Sequence, residues 1–187
     1  MKKIFIIHGF RGGPDADWLP WFKSELKKEG FQAAALAMLA PDKPNKDEWV
    51  REITRAVGDP NEDIFLVGYS LGACTILHYL ETLSEEESIG GAVLVSSPIH
   101  VLPKDKYRLI DDFVDKEFDF DHLKKVCGQF VVIHGENDEI VPPSHARELA
   151  QGLSCKVISV PNGGHFSSSE GWSKLPEVLT ATLKMLK

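Results

Sequence analysis

The length, composition and charge of this chain exclude several classes of protein. A chain of 187 residues is long enough to bury a sizeable core, and we expect one domain over residues 1–187. Its 43% hydrophobic and 26% charged residues are ordinary for a soluble globular protein. The formal net charge of −7 argues against a nucleic-acid-binding surface, because phosphate binding depends mainly on lysine and arginine.

The cysteines and the N-terminal residues bear on the cellular compartment. Cys74, Cys127 and Cys155 are too few and too widely spaced for a disulfide framework or a zinc site, so we expect reduced thiols. The apolar run from Ile4 to Ile7 is too short for a secretion signal or a membrane span, and it predicts a first β-strand. We therefore expect a cytoplasmic protein that does not associate with membranes.

Six short apolar segments predict β-strands. Most of them are apolar throughout rather than alternating, which is typical of parallel strands covered on both faces. The second is the least convincing and is also compatible with a partly helical segment. The segments are "KIFIIH" (3–8), "FQAAALA" (31–37), "DIFLVGY" (63–69), "GAVLVSS" (91–97), "QFVVIHG" (129–135) and "CKVISVP" (155–161).

Segments with helical periodicity separate these strands. In the first of them, Leu19, Phe22 and Leu26 fall on one helical face. Pro176 predicts that the last helix begins near that proline. The alternation of strands and helices predicts a parallel sheet with helices on both faces, whereas residues 98–128 have no clear period. The helical segments are 17–30, 46–58, 71–83, 145–153 and 172–187.

The stretch "LVGYSLGAC" contains a G-x-S-x-G motif at Gly68, Ser70 and Gly72. A strand is predicted before it and a helix after it, which is the context in which a tight turn exposes a nucleophilic serine. The glycines suit this turn because its backbone segments approach closely. The motif predicts that Ser70 is a nucleophile; the alternative is a turn of small residues with a solvent-facing serine.

A nucleophilic serine needs a base, and His165 is the favoured histidine. It lies in the glycine loop "PNGGHF" after the sixth strand, so it shares the carboxyl edge of the sheet with Ser70. His134 ends a strand, where a structural role is expected. We expect satisfied or solvent-facing roles for the histidines in helical, polar or irregular segments, namely His78, His100, His122 and His145.

The base needs an orienting acid, and the loop "HGENDEIVPP" after the fifth strand offers three carboxylates. Asp138 is favoured, because a short carboxylate just past the strand can reach an imidazole nitrogen. Glu139 is the second choice and Glu136 also competes. The alternative is a solvated acidic loop. The fourth strand ends in "SSPIH", which has no carboxylate to offer instead.

The neighbouring residues predict an oxyanion hole and substrate contacts. The backbone N–H groups of Leu71 and of Phe10, in "HGFRGG", are the expected donors. Trp18 and Trp21 either line an acyl pocket or only pack the first helix on the sheet. Arg11 either meets a substrate carboxylate or is solvated. Tyr69, directly before the serine, is a further possible substrate contact.

These motifs resemble the α/β-hydrolase superfamily over nearly the whole chain. More narrowly, "DADWLPWF" and "EFDFDHLKK" resemble the small lidless serine hydrolases typified by the bacterial YdeN proteins and the mammalian retinoblastoma-binding protein 9. The resemblance implies a minimal three-layer α/β/α sandwich, strand order 2-1-3-4-5-6, and short helices from residues 98–128 instead of a large cap domain. It also implies a triad of Ser70, Asp138 and His165. Tyr69 stands where histidine is common, which leaves the substrate preference open.

The expected function is hydrolysis of a small or medium carboxylic ester through an acyl-enzyme, without metal or cofactor. A thioesterase, an amidase or peptidase, or an acyltransferase would use the same residues. The competing hypothesis is a protein-interaction module that retains the fold. It has little support, because the L-x-C-x-E motif associated with the mammalian relative's partner is absent and "LSCKV" (153–157) is only its nearest match. We expect a small-molecule acyl substrate and no nucleic-acid partner.

Overall fold

A six-stranded parallel sheet forms the centre of the molecule. The computed structural model describes residues 1–187. The strand order is β2-β1-β3-β4-β5-β6, and every neighbouring pair is parallel, so the predicted order is confirmed. The strands are β1 (Lys3–Ile7), β2 (Gln32–Leu36), β3 (Ile64–Tyr69), β4 (Gly91–Val95), β5 (Phe130–Gly135) and β6 (Val157–Val160).

Six α-helices connect and cover the strands. The last begins at Pro176, as the sequence predicts, since proline suits the first helical position. None of the helices combines the length and apolar character needed to cross a bilayer. The helices are α1 (Leu19–Lys28), α2 (Lys46–Val57), α3 (Leu71–Leu80), α4 (Phe120–Val126), α5 (Pro143–Gly152) and α6 (Pro176–Met185). Two 3₁₀-helices span Asp105–Phe113 and Ser168–Glu170.

The hydrophobic core lies in two layers, one on each face of the sheet. Alternate residues of β3 point to opposite faces, so Leu66 packs with one layer while Phe65 and Val67 pack with the other. The larger layer contains residues of α2, α3, α4 and α5, and the smaller contains residues of α1 and α6. The fold is therefore a three-layer α/β/α sandwich.

The edge strand β2 lies in the segment 31–37, which the sequence left open between a strand and a partly helical segment. Residues 32–36 form a strand that pairs in parallel with β1 along its whole length. Gln32 and Ala34 are exposed, whereas Ala33 and Ala35 pack partly against the core. The alanine-rich sequence is ambiguous, because alanine favours helices; pairing with β1 determines the outcome.

Residues 98–128 form a short cover rather than a cap domain. The 3₁₀-helix Asp105–Phe113 and the helix α4 lie in this interval. Phe113 and Leu123 are fully buried and belong to the same core layer as α3. The apolar residues in this interval thus extend the core.

Candidate active site

Ser70 occupies the sharp turn between β3 and α3. Its backbone has φ 54° and ψ −120°, a region that costs a non-glycine residue about 1–3 kcal/mol. The flanking glycines permit the turn, since a Cβ at Gly68 would collide with the Ala73 backbone. A Cβ at Gly72 would collide with the carbonyl oxygen of Ile7. The turn therefore holds Ser70 against the end of β1.

The side chains of Ser70, His165 and Asp138 form a continuous hydrogen-bonded line. His165 Nε2 lies 3.0 Å from Ser70 Oγ, and His165 Nδ1 lies 2.8 Å from Asp138 Oδ2. These residues follow β3, β6 and β5, whose carboxyl ends meet at one edge of the sheet. This is the geometry in which a hydroxyl, an imidazole and a carboxylate can act as nucleophile, base and orienting acid.

Asp138 is a buried carboxylate whose two oxygens both accept hydrogen bonds. Its side chain is fully buried, and Oδ1 accepts hydrogen bonds from the amides of Ile140 and Val141 at 2.9 and 3.0 Å. Burial raises the pKa of Asp138, but the hydrogen bond and positive charge of His165, together with those amides, hold it below its usual value. The competing residues Glu136 and Glu139 are exposed and make no contact with the imidazole.

The loop that carries His165 contains residues in the left-handed backbone region and is held by three polar contacts. Gly164 and Phe166 have φ of 55° and 61°. The His165 amide donates to both carboxylate oxygens of Glu170 at 3.1 Å, and the Tyr69 hydroxyl donates to the His165 carbonyl at 2.8 Å. Asn137 Oδ1 accepts from the Gly164 amide at 2.9 Å. Together these contacts fix the backbone from which the imidazole projects.

Glu170 and Asn137 are site residues that the sequence reasoning missed. The Glu170 carboxylate also accepts from the amide and hydroxyl of Ser167, at 2.9 and 2.7 Å, in a capping box around the 3₁₀-helix Ser168–Glu170. Burial raises the pKa of Glu170, but these hydrogen bonds and the charge of His165 outweigh it, so the pKa lies below its usual value. The spacing of serine and glutamate in "SSSE" is the signal that points to this cap.

Three of the other histidines are hydrogen-bonded away from Ser70. His134 Nε2 donates to the Val141 carbonyl at 2.9 Å, and its ring lies 3.6 Å from Asp138, so it supports the loop after β5. The ring of His78 lies 2.7 Å from the Phe113 carbonyl, and His145 Nδ1 accepts from the Ile99 amide at 3.1 Å. Of the seven histidines, only His165 contacts Ser70.

Two backbone amides near Ser70 have no protein acceptor. The Leu71 N–H is in the first turn of α3, where intrahelical partners are lacking. The Phe10 N–H follows β1 and likewise donates to no protein group. A Cβ at Gly9 would lie only 3.0 Å from Ser70 Cβ, which shows how closely the loop after β1 approaches the serine. Both amides are free to receive an acceptor at this point.

A cleft of about 430 Å³ opens beside Ser70 and His165. Arg11 and Tyr69, which the sequence suggests as possible substrate contacts, are among the residues that line it. A larger cavity of about 610 Å³ lies near the amino ends of β5 and β6, and neither Ser70 nor His165 lines it. The apolar residues that line the cleft are mainly Phe10, Leu102, Tyr107, Ile110 and Ile140.

The substrate contact suggested for Trp18 is wrong. Its side chain is fully buried and does not line the cleft. It packs edge-on against Phe22 and Tyr69, with ring centroids 5.8 and 5.7 Å apart. Trp21 is partly buried against the same core layer. Both tryptophans therefore pack α1 on the sheet, which is the alternative that the sequence left open.

A family model described as serine hydrolase matches residues 4–184. This chain belongs to the serine hydrolase family. YdeN of Bacillus subtilis (strain 168) is 34% identical over 183 residues, covering 96% of this chain and 95% of that protein. The expected resemblance to the YdeN-type members of the family is thereby confirmed.

Solved structures agree with this assignment. The ydeN gene product of B. subtilis superposes with a TM-score of 0.95 and 33% identity, covering 100% of this chain and 99% of that one. Est1E from Butyrivibrio proteoclasticus, in its complex with ferulic acid, has a TM-score of 0.75 and 15% identity, covering 100% of this chain and 90% of that one. At that identity Est1E shows a shared α/β-hydrolase fold and nothing further.

Proposed function

We propose that this chain hydrolyses a small or medium carboxylic ester through an acyl-enzyme, with Ser70, His165 and Asp138 as its catalytic triad. The observation that carries the proposal is the line of two hydrogen bonds, 3.0 Å from Ser70 Oγ to His165 Nε2 and 2.8 Å from His165 Nδ1 to Asp138. This line opens onto a cleft large enough for a small ligand.

In the first half of the reaction, Ser70 Oγ attacks the ester carbonyl carbon while His165 Nε2 takes the hydroxyl proton. The carbonyl oxygen becomes an oxyanion that accepts hydrogen bonds from the amides of Leu71 and Phe10. The tetrahedral intermediate then collapses, the bond to the leaving oxygen breaks, and His165 returns the proton to the departing alcohol. Ser70 is left acylated.

In the second half, His165 Nε2 takes a proton from water, and the resulting hydroxide attacks the acyl carbon. A second tetrahedral intermediate uses the same two amides and collapses to release the carboxylic acid. The proton returns from His165 to Ser70 Oγ, which regenerates the free enzyme. Asp138 stays ionised throughout and stabilises the imidazolium that forms in each half.

The size and lining of the cleft support an ester of modest length. Leu102, Ile110 and Ile140 provide apolar surface for an acyl chain within a volume of about 430 Å³. Thioesters and amides share the acyl half of this reaction and differ only in the leaving group. We propose ester hydrolysis as the main activity. Rates on thioesters and amides of the same acyl group would rank the other leaving groups against it.

The test compares wild-type protein with Ser70→Ala on p-nitrophenyl esters from acetate to decanoate. We expect turnover that is highest for short and medium acyl chains and that is abolished in Ser70→Ala. Ser88→Ala removes an exposed serine at the opposite edge of the sheet and serves as the matched control. Full activity of Ser70→Ala, or no turnover of any ester by wild type, contradicts the proposal.

A further inference from the structure

Four side chains form a continuous row along the cleft. The Arg11 guanidinium lies over the Phe10 ring, with its carbon 4.9 Å from the ring centroid. The rings of Phe10 and Tyr107 meet edge-to-face with centroids 6.4 Å apart, and Lys106 Nζ lies 5.0 Å from the Tyr107 centroid. All four residues line the cleft that contains Ser70. The row therefore presents two apolar rings with a cation at each end.

The two cations have little compensation from neighbouring carboxylates. Arg11 has only a distant partner, Asp42, whose Oδ1 lies 3.8 Å away and whose side chain is 84% exposed. Lys106 has no carboxylate within ion-pair distance. Asp17 is the one acidic residue that lines the cleft, and its Oδ1 accepts the Ser168 amide at 2.7 Å. Residues nearby on the cover pair among themselves, since Asp105 and Asp111 both contact Arg108.

This local excess of positive charge runs against the charge of the whole chain, which is −7. A cleft that bound only neutral esters would have no need of cations on its rim. Cations next to apolar rings suit a ligand with an apolar body and an anionic end, because the rings cover the body while the cation pairs with the anion. An arginine in this position can also form a bidentate contact with a carboxylate.

We propose that the physiological substrate is an ester that carries a carboxylate, whose apolar part packs on Phe10 and Tyr107 and whose anion meets Arg11 or Lys106. The inference rests on the proposed ester hydrolysis and specifies its substrate class. The carboxylate belongs either to the acyl group, as in a monoester of a dicarboxylic acid, or to the alcohol. Both sources present the same chemistry to the row.

The experiment compares kcat/KM for matched anionic and neutral esters. For the acyl side, the pair is p-nitrophenyl hydrogen adipate and its methyl ester. For the alcohol side, the pair is the hexanoate ester of 3-hydroxybenzoate and that of methyl 3-hydroxybenzoate. In one of the pairs we expect wild type to prefer the anionic ester by about tenfold at low salt, and the preference to shrink as salt screens the charges.

The readout in the variants is the ratio of anionic to neutral kcat/KM. Because both esters use the same serine and the same oxyanion donors, general damage to the site cancels in this ratio. Arg11→Gln and Lys106→Gln should each reduce the preference, and the double variant should remove it. Lys184→Gln deletes an exposed positive charge far from the cleft, and it should retain the wild-type preference.

Two results would overturn the inference while leaving ester hydrolysis intact. One is the absence of any wild-type preference for the anionic ester in either pair. The other is a preference for the anionic ester that survives in the double variant. A wild-type protein that hydrolyses none of the four esters would instead contradict the proposed function itself, and the inference with it.

Discussion

The Tyr69 hydroxyl donates a hydrogen bond to the His165 carbonyl oxygen at 2.8 Å. The residue directly before Ser70 thereby fixes the backbone of the histidine that Ser70 contacts. Burial raises the pKa of the Tyr69 phenol, so it stays protonated and able to donate. Tyr69 also lines the cleft, and its ring lies 5.5 Å from the imidazole. The hydrogen bond couples the turn at the end of β3 to the loop after β6.

Tyr69→Phe keeps the ring and removes this hydrogen bond. We expect kcat to fall by about threefold to tenfold with KM changed less than about twofold, because the loss affects the position of His165 more than substrate binding. Steady-state kinetics on one ester measures both constants. Tyr79→Phe removes a buried phenol from the other core layer and should leave kcat unchanged. A rise in KM alone would show that Tyr69 only binds substrate.

Glu170→Gln tests the carboxylate that holds the His165 amide. The amide oxygen cannot replace both carboxylate oxygens, which together accept from His165 and Ser167. We expect kcat of Glu170→Gln to fall by about tenfold at nearly constant KM. The kcat of Glu170→Ala should fall further. The low-field proton resonance of a His165 Nδ1–H bonded to Asp138 should also shift or broaden in these variants.

A matched control for Glu170 exists at the amino end of the strands, away from Ser70. Glu87 accepts a hydrogen bond from the Ser84 amide at 2.8 Å, an arrangement similar to that of Glu170 with Ser167. Glu87→Gln should leave kcat and the low-field resonance unchanged. If Glu170→Gln lowers only the melting temperature and leaves kcat intact, then Glu170 has no positioning role for His165.

Asp138 and Glu139 are adjacent in sequence but lie in opposite environments. Asp138 is buried and contacts His165 Nδ1, whereas Glu139 is exposed. Asp138→Asn should lower kcat by about 10⁴, because the imidazole is then held in the wrong tautomer. Glu139→Gln should leave kcat within about twofold of wild type. Equal losses in the two variants would contradict the assignment of the orienting acid.

The lowered pKa of His145 predicts a loss of folding stability in mild acid. Burial, helped by the charges of His100 and His134, lowers the pKa of His145 to about 4, whereas it titrates near 6.5 in the unfolded chain. The unfolded state therefore binds more protons in this window. The contribution is fully present above pH 6.5 and is lost as the pH falls towards 4, at a cost of up to about 3 kcal/mol.

His145→Asn tests this contribution, because the asparagine oxygen can still accept from the Ile99 amide but does not titrate. Urea unfolding at pH 7.5 and at pH 4.5 should show a smaller loss of stability in the variant than in wild type. Some loss should persist, since burial also lowers the pKa of His8, His78 and His134. An unchanged pH dependence in His145→Asn contradicts the prediction.

The features that the sequence predicts well are those set by local patterns. The apolar segments before Ser70 and His165 imply parallel strands, and the observed sheet confirms their order. Since carboxyl ends of parallel strands share an edge, residues 95 positions apart in the chain are expected close together, and the structure has them in contact. The glycines around Ser70 predict a tight turn because backbone segments approach closely there. The observed contacts at these glycines show the same steric constraint.

The features that the sequence predicts poorly depend on partners remote from any pattern. The contact of Glu170 with the His165 amide depends on the path of the loop through Gly164 and Phe166, whose positive φ values no periodicity encodes. Trp18 is equally compatible with a pocket wall and with the core, and only the rotation of α1 onto the sheet decides between them. The row from Arg11 to Lys106 joins the loop after β1 to the 3₁₀-helix Asp105–Phe113, and their contact follows from the packing of residues 98–128.

The central claim is that Ser70 becomes acylated during turnover, and mass spectrometry of an acid-quenched reaction tests it most directly. Wild-type protein mixed with p-nitrophenyl hexanoate should yield a peptide containing Ser70 that is heavier by one hexanoyl group. The same peptide from Ser70→Ala should be unmodified, and that variant should not hydrolyse the ester. Turnover by wild type with the acyl group on a different residue, or turnover by Ser70→Ala at the wild-type rate, would contradict the claim.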